Sequence, residues 1–302
     1  MWGRTSIHLM TVRAKEILGA RYGAGPKYSY FVGGSTGGRQ GMIEAQYYPE
    51  DYDGIVSKSP GMDYSHVMMS VLWTAQPIAE NPDGVLGAVD RKVLNDAVLA
   101  ACSGRDGVRG DPTLNDPRDC GFQLERLHFD KDADLVEKRL APKIDATRTD
   151  LSRFEERGGK LIMTQGWSDD YQAATLPIEY YHRVLRDNGG PDARSSLREV
   201  QDFYRLFMVP GGGHVTGGPG PNSFDALSAV RNWVERGAAP RDMVATKYVR
   251  DRPENGVSMT RPLCPYPQVA RHDGSGETSD ASNFRRADDW GDFAADMARA
   301  KR

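Results

Sequence analysis

The chain has 302 residues, of which 39% are hydrophobic and 27% are charged. This length and composition predict a globular protein with one large α/β domain or two small ones. Lys and Arg total 39 against 42 Asp and Glu, which gives a formal net charge of −3. That near balance, without a basic run, argues against a nucleic-acid partner. No apolar stretch approaches the roughly 18 residues of a membrane span, so no membrane partner is expected either.

The N-terminal sequence, MWGRTSIHLMTVRAKEIL, differs from a signal peptide because it has no uninterrupted apolar core and no small-residue cleavage site. Its apolar residues recur at roughly helical spacing between Ile7 and Ile17, with Arg and Lys among them. This pattern predicts an amphipathic helix over residues 5–20.

Short apolar strands and helices alternate in the next part of the chain. The strands are predicted at 28–33 and 53–57 with a helix at 37–48 between them, a βαβ unit that indicates a parallel sheet. The alternation returns later, with strands predicted at 160–164 and 203–209 and helices at 175–188 and 224–236.

The segment 62–155 interrupts this alternation. It contains a helical pattern at 91–101 and an Asp-, Gly- and Pro-rich loop at 102–120, and it is interpreted as a cap inserted over the sheet. The chain is therefore expected to divide into a core made of 1–61 and 156–270, the cap at 62–155, and a loosely held tail at 271–302.

Residues 33–37, GGSTG, match the G-x-S-x-G pattern of a nucleophile elbow. In this turn the strand passes into the helix so tightly that flanking residues must be small, and the serine hydroxyl rises above the sheet edge near a helix N-terminus. The alternative is a glycine-rich turn with an idle serine. The strand before Ser35 and the helix after it favour a nucleophile, and no G-K-[ST] follows, which excludes a Walker A loop.

A serine nucleophile needs a base, and the base needs a group that orients it. In α/β-hydrolases these follow in the order Ser, Asp or Glu, His. Here the acidic pair Asp169 and Asp170 follows one predicted strand, and His214 follows the next, in PGGGHVTGG. Both places are carboxyl ends of parallel strands, where active sites gather. Either acid could orient the histidine, and the alternative is a solvated loop acid and a histidine without a role.

Four sequence blocks resemble the tannase and feruloyl esterase family, in the order in which the family has them. They are GGSTGGRQGMIEAQYYPEDYDGIV (33–56), GGKLIMTQGWSDD (158–170), GGGH (211–214) and RPLCPYPQVARHDGSG (261–276). The resemblance implies an α/β-hydrolase-like parallel sheet with a reduced cap, and cleavage of esters of aromatic acids. It assigns Ser35 as the nucleophile, Asp169 as the orienting acid and His214 as the base.

The chain departs from the family at two cysteine positions beside these residues. Family members usually carry a cysteine just before the serine and another just after the histidine, joined as a disulfide. Gly34 and Val215 occupy those positions here, so the site is expected to be less rigid than in the family. Cys264 resembles a family cysteine whose usual partner is replaced by Arg285, so we expect a free thiol.

Residues 101–120, ACSGRDGVRGDPTLNDPRDC, resemble the family's calcium loop. Calcium takes about six to eight oxygen ligands, which closely spaced carboxylates and carbonyls provide. Asp106 and the Val108 carbonyl match the family pattern, and Asp111 matches with a one-residue shift. A structural calcium is therefore one prediction, and an Asp-Gly-Pro surface loop is the other; the chemistry itself requires no cofactor. Cys102 and Cys120 match the family's local disulfide.

The chain begins at a helix that family members reach only after a long N-terminal portion, and the region near residue 130 lacks much of the family's lid. In the family that portion donates one oxyanion-hole amide. Here the Thr36 amide is predicted as one donor, with the Gly37 amide as a further candidate, and an upstream donor is not found. We therefore expect the C-terminal part of a family member, or a shortened descendant.

Together these features predict a serine esterase that hydrolyses feruloyl, galloyl or terephthalate-type esters through an acyl-enzyme. One alternative is a truncated or degenerate homologue without activity, and another is an acyltransferase in which an alcohol replaces water. The expected partner is a small aromatic ester, and the oligomeric state stays open. Resemblance to the family, and the Cys102–Cys120 disulfide it implies, predict a secreted or extracellular protein, although no signal peptide is visible in this chain.

Overall fold

A computed structural model describes residues 3–80, 141–190 and 192–289, together with the single positions 92, 96, 99, 138 and 293. The first part of the chain forms α1 (Ser6–Tyr22), β1 (Tyr30–Gly34), α2 (Thr36–Tyr47), β2 (Gly54–Lys58) and α3 (Tyr64–Glu80). Within the described ranges, no helix is both long and apolar enough to cross a membrane.

The second part contains two further strands, with helices before, between and after them. Its elements are α4 (Ala141–Ile144), α5 (Ser152–Glu156), β3 (Lys160–Gly166), α6 (Leu176–Asn188), α7 (Ala193–Gln201), β4 (Tyr204–Val209) and α8 (Ala226–Arg236). All eight helices and strands that the sequence predicts outside 62–155 are present, and each boundary agrees within two residues. The helical pattern at 91–101 and the loop at 102–120 lie in the part of the chain that is not described.

Four parallel strands form the central sheet, in the order β1-β2-β3-β4. The predicted βαβ unit and parallel sheet are therefore confirmed. Because the strands run in one direction, their carboxyl ends lie at one edge of the sheet, next to the residues that follow Gly34, Gly166 and Val209.

Strands β2, β3 and β4 are buried on both faces, whereas the edge strand β1 is partly exposed. Successive residues of the buried strands alternate between two hydrophobic clusters. In β3, Leu161 and Met163 pack into the larger cluster, whereas Ile162 packs into the smaller one. The larger cluster contains buried side chains of α2 and α6, and the smaller one contains Val230 and Trp233 of α8. Helices therefore cover both faces and leave the strand ends free to carry a site.

The C-terminal part adds two antiparallel strand pairs. The strands β5 (Met243–Tyr248) and β6 (Val257–Leu263) pair with each other, as do β7 (Val269–His272) and β8 (Phe284–Ala287). The tail expected from residue 271 is described as far as residue 289. Those residues are held by the β7–β8 ladder and by Phe284, which packs in a small cluster with Cys264 and Ala270.

Candidate active site

Ser35 occupies the single position between β1 and α2. Its backbone angles are φ 57° and ψ −120°, a conformation that residues other than glycine rarely adopt. Two hydrogen bonds hold the turn: the Ser35 amide donates to the Lys58 carbonyl at 2.9 Å, and the Arg39 amide donates to the Ser35 carbonyl at 3.0 Å. The turn therefore has the sharp, strained form expected of a nucleophile elbow.

The two outer glycines of the G-x-S-x-G pattern differ in what they permit. A Cβ atom on Gly33 would lie 2.4 Å from the Gly37 carbonyl oxygen, so only glycine fits there. A Cβ atom on Gly37 would meet nothing within 4 Å. The tight approach therefore constrains the first glycine, and the second lies in open space in the first turn of α2.

His214 lies between Ser35 and Asp169. Its Nε2 atom is 2.7 Å from Ser35 Oγ, and its Nδ1 atom is 2.9 Å from Oδ2 and 3.1 Å from Oδ1 of Asp169. The Asp169 side chain is 0% exposed and the His214 side chain 21% exposed. The fold thus brings the three predicted residues together, and Asp169 is the acid of the pair that is bonded to the imidazole.

The loop that carries His214 is fixed by a backbone hydrogen bond of its own and by one to Ser59. The Thr216 amide donates to the His214 carbonyl at 2.7 Å, and the Val215 amide donates to Ser59 Oγ at 3.1 Å. A Cβ atom on Gly218 would lie 2.3 Å from the Gly211 carbonyl oxygen, so the return of the loop needs glycine. The glycine-rich sequence therefore lets a tight loop place the imidazole above the strand ends.

Two glutamines, Gln165 and Gln172, donate hydrogen bonds to the Asp169 carboxylate. Neither is among the site residues predicted from the sequence. Oδ2 of Asp169 accepts a hydrogen bond from Gln165 Nε2 at 2.8 Å. Oδ1 accepts from the backbone amides of Tyr171 at 2.9 Å and Gln172 at 3.1 Å. Gln165 lies with Thr164 at the end of the buried strand KLIMTQG, and this pair of buried polar residues is the one local feature that sets the position apart.

An exposed aromatic ring borders the site. The ring of Tyr171 lies 5.0 Å from the His214 ring, and its hydroxyl lies 4.0 Å from Met68 Sδ on α3. Tyr171 is 42% exposed. Tyr171 therefore places a part-exposed ring beside the imidazole, with Met68 at the hydroxyl end of that ring. Trp167, by contrast, packs against the larger hydrophobic cluster.

Lys58 is a charged side chain close to the elbow. Its Nζ atom lies 5.3 Å from the centre of the Phe224 ring. Burial lowers the pKa of the Lys58 ammonium, and Asp225 acts in the opposite direction. Since the carbonyl of Lys58 accepts from Ser35, this residue contributes to the site through its backbone.

Thr36 begins α2, so its amide is among the first in the helix, which have no acceptor within the helix. It therefore lies next to the nucleophile at the positive end of the helix dipole. The predicted calcium ligands Asp106, Val108 and Asp111, and the predicted disulfide partners Cys102 and Cys120, lie outside the described residues.

One group in the described part of the chain has donors that could hold a metal. Asp63, His66 and Asp145 offer ligand atoms within 4.8 Å of one another. Asp145 accepts hydrogen bonds from the amide and hydroxyl of Ser65 at the start of α3, so helix capping accounts for its position. Cys264 is a buried free thiol, as expected, and burial raises its pKa to about 12.

A parallel sheet with a serine elbow, a histidine and a buried acid at successive strand ends defines an α/β-hydrolase. A solved esterase from Aspergillus oryzae has this fold, with a TM-score of 0.82 and 22% identity over 94% of this chain and 73% of that one. The sequence model of tannase and feruloyl esterase matches residues 1–134 and 123–287. The chain belongs to the tannase and feruloyl esterase family.

Two relatives illustrate the membership. An uncharacterized esterase of Xanthomonas campestris pv. campestris is 30% identical over 94% of this chain and 69% of its own length. The mono(2-hydroxyethyl) terephthalate hydrolase of Piscinibacter sakaiensis is 26% identical over 93% of this chain and 67% of its own. The chain thus spans about two thirds of these relatives, and it is a carboxylic ester hydrolase like them.

Proposed function

We propose that the protein hydrolyses esters of aromatic acids, with Ser35 as the nucleophile, His214 as the base and Asp169 as the orienting acid. The observation that carries the proposal is one hydrogen-bonded series. Ser35 Oγ lies 2.7 Å from His214 Nε2, and His214 Nδ1 lies 2.9 Å from Asp169 Oδ2. Both distances are within the range over which a nucleophile, its base and an orienting group act together.

The proposed reaction has two halves. Ser35 Oγ attacks the ester carbonyl carbon while His214 Nε2 takes the hydroxyl proton, and the carbonyl π electrons move to oxygen. The intermediate collapses, the bond to the alcohol oxygen breaks, and His214 returns the proton to the leaving alcohol. Water then attacks the acyl-enzyme with His214 as the base, which releases the acid and restores Ser35.

The negative charge on the intermediate oxygen needs donors that are already in place. We propose the Thr36 amide as one, because it follows the nucleophile and opens α2. The Gly37 amide, in the same turn, is the further candidate. Losing one such donor typically costs about 10²–10³ in rate.

The substrate class rests on the family and on the surface beside the base. Family relatives include a feruloyl esterase B of Aspergillus niger and the terephthalate hydrolase. The exposed Tyr171 ring and Met68 offer an apolar surface against which an aromatic acyl group could pack. A feruloyl, galloyl or terephthalate-type half ester suits that surface better than a short aliphatic ester.

The test is hydrolysis of methyl ferulate, methyl gallate and mono(2-hydroxyethyl) terephthalate, with ethyl butyrate as the aliphatic control. We expect turnover of at least one aromatic ester, and loss of turnover in Ser35→Ala. Folded wild-type protein that is no faster than Ser35→Ala would favour the non-catalytic alternative. Transfer of the acyl group to added ethanol, which gives the ethyl ester, in preference to water would favour the acyltransferase.

We further propose the family's calcium site at Asp106, Val108 and Asp111, its Cys102–Cys120 disulfide, and a location outside the cell. These rest on the resemblance of residues 101–120. If they hold, chelation of calcium lowers the melting temperature of wild type but not of Asp106→Asn. Mass spectrometry after alkylation then finds Cys264 as the one modified cysteine.

A further inference from the structure

A glutamine network extends from the acid to the loop after β2. Gln165, 0% exposed, donates from Nε2 to Asp169 Oδ2 at 2.8 Å. Oε1 of Gln165 accepts a hydrogen bond from Gln172 Nε2 at 3.0 Å. Gln172 Nε2 also donates to the Pro60 carbonyl oxygen at 3.3 Å. The Pro60 carbonyl can only accept, so Gln172 must present its Nε2 donor to it and to Gln165. Gln165 must then present its Oε1 to Gln172 and its Nε2 to the Asp169 carboxylate.

The hydrogen bonds of the network satisfy the acceptor positions of the Asp169 carboxylate. A carboxylate has about four acceptor directions, and Asp169 receives donors from His214, Gln165 and two backbone amides. A donor on a carboxylate stabilises its charged form and lowers its basicity. Asp169 therefore holds the Nδ1 proton of His214 by a hydrogen bond while its own geometry is fixed from the opposite side.

We propose that Gln165 is a positioning residue for Asp169, and that Gln172 holds Gln165 in the orientation that donates. The proposal rests on the function proposed above. Gln165 contacts neither Ser35 nor the reacting atoms. It acts through Asp169 by fixing the angle from which the carboxylate meets the imidazole and by limiting how strongly the carboxylate attracts the proton.

The first test is Gln165→Leu, which keeps the volume and removes the donor. We expect kcat to fall about 10- to 100-fold, as for loss of a hydrogen bond to a charged group, with KM changed less than about threefold. The more basic Asp169 stabilises the imidazolium, so the acid limb of the kcat/KM profile moves to higher pH. An acid limb identical to that of wild type would overturn the proposal.

Gln46→Leu is the matched control. Gln46 is also buried, but its Nε2 donates to the Ala146 carbonyl at 2.8 Å and to the Tyr180 hydroxyl at 3.0 Å. This variant measures what loss of a buried glutamine does to the fold. We expect a lower melting temperature and an unmoved acid limb. A shift as large as that in Gln165→Leu would make the effect a general one and overturn the assignment.

Gln165→Glu supplies a conservative rescue. At acidic pH, where the new carboxyl carries a proton, it can donate a hydrogen bond to Asp169 as the amide does. There kcat should exceed that of Gln165→Leu by about tenfold. Equal rates in the two variants at that pH would show that the donor has no role.

A failure of the proposed function can be told apart from a failure of this inference. If wild-type protein hydrolyses no ester, the function fails. The network is then tested by the proton resonance on Nδ1 of His214. That resonance should move in Gln165→Leu and stay in place in Gln46→Leu, and an unmoved resonance in both would reject the positioning role.

Discussion

Gly34 and Val215 face each other across the two loops that carry the nucleophile and the base. A Cβ atom on Gly34 would lie 2.6 Å from Cγ1 and 3.4 Å from Cβ of Val215. The valine therefore fills the space that the glycine leaves open. Val215 does so at φ 65°, where a β-branched residue is strained. In the family these two positions usually carry a disulfide, and here a packing contact joins the same loops.

This contact predicts coupled mutations. Gly34→Ala forces a methyl group into the Val215 side chain and should lower the free energy of unfolding by about 1–3 kcal/mol. Val215→Ala removes the obstructing atoms, so the double variant should recover most of that loss. A double-mutant cycle in urea measures the coupling, and additive effects would contradict the contact.

The same geometry predicts that a covalent link can replace the contact. The 3.4 Å separation of the two Cβ positions is close to the roughly 3.5–4.5 Å of a disulfide. Gly34→Cys/Val215→Cys should therefore oxidise spontaneously and raise the free energy of unfolding by about 2–4 kcal/mol. Guanidinium unfolding with and without reductant gives the difference. Two thiols that stay reactive under oxidising conditions would refute the geometry.

Substitution by alanine is expected to affect esterase activity differently at Gly33 and at Gly37. Gly33→Ala places a methyl group 2.4 Å from a backbone oxygen, so the turn must shift and esterase activity should fall at least about tenfold. Gly37→Ala adds a methyl group in open space, and activity should stay within about twofold. Ester hydrolysis by the two purified variants, with circular dichroism for folding, decides the matter. Equal losses would contradict it.

The two neighbouring acids predict a second contrast. Asp169→Asn replaces an acceptor of the Nδ1 proton by an amide and favours the wrong tautomer of His214, so kcat should fall about 10³–10⁴-fold. Asp170→Asn changes the adjacent side chain and should leave kcat within about twofold. Steady-state kinetics on the best ester compares them, and a larger loss in Asp170→Asn would reverse the assignment.

Glu44, on α2, predicts a pH dependence of stability. Its side chain is 1% exposed, and burial, with a contribution from Asp51, raises its pKa from 4.5 to about 8. Between these values the folded protein keeps a proton that the unfolded chain has lost, so the free energy of unfolding falls as pH rises. Glu44→Gln stays neutral and should be more stable than wild type by a few kcal/mol above pH 8. Urea unfolding over a pH series checks this, and parallel curves would contradict it.

The central sheet could be predicted because its strands are short apolar runs bounded by turns, and its helices are amphipathic. The C-terminal strands could not be recognised in the same way. Strand β6 contains Pro262 and several polar residues, and β8 is the four-residue run FRRA. The partner of β8 lies across the Gly- and Ser-rich loop 273–283, so local patterns carry little of the information on its pairing.

The candidate site shows a similar division. Ser35 and His214 follow from a motif and from chain order, but spacing alone left Asp169 and Asp170 equivalent. Their difference arises in three dimensions, because the Asp169 carboxylate turns back to accept the amides of Tyr171 and Gln172. Glutamine side chains carry no motif, so Gln165 and Gln172 gain meaning only once the acid has been located.

Arg39, on the helix that follows the nucleophile, connects that helix to two distant parts of the chain. Its buried guanidinium donates from Nη1 to the carbonyl oxygens of Gly3 at 2.9 Å and Ile144 at 2.7 Å, and its own amide holds the Ser35 carbonyl. A guanidinium carries several N–H donors in a rigid plane, so one side chain can bond more than one carbonyl oxygen. Arg39 therefore links Gly3, which lies before α1, and the last residue of α4 to the helix that begins beside the serine.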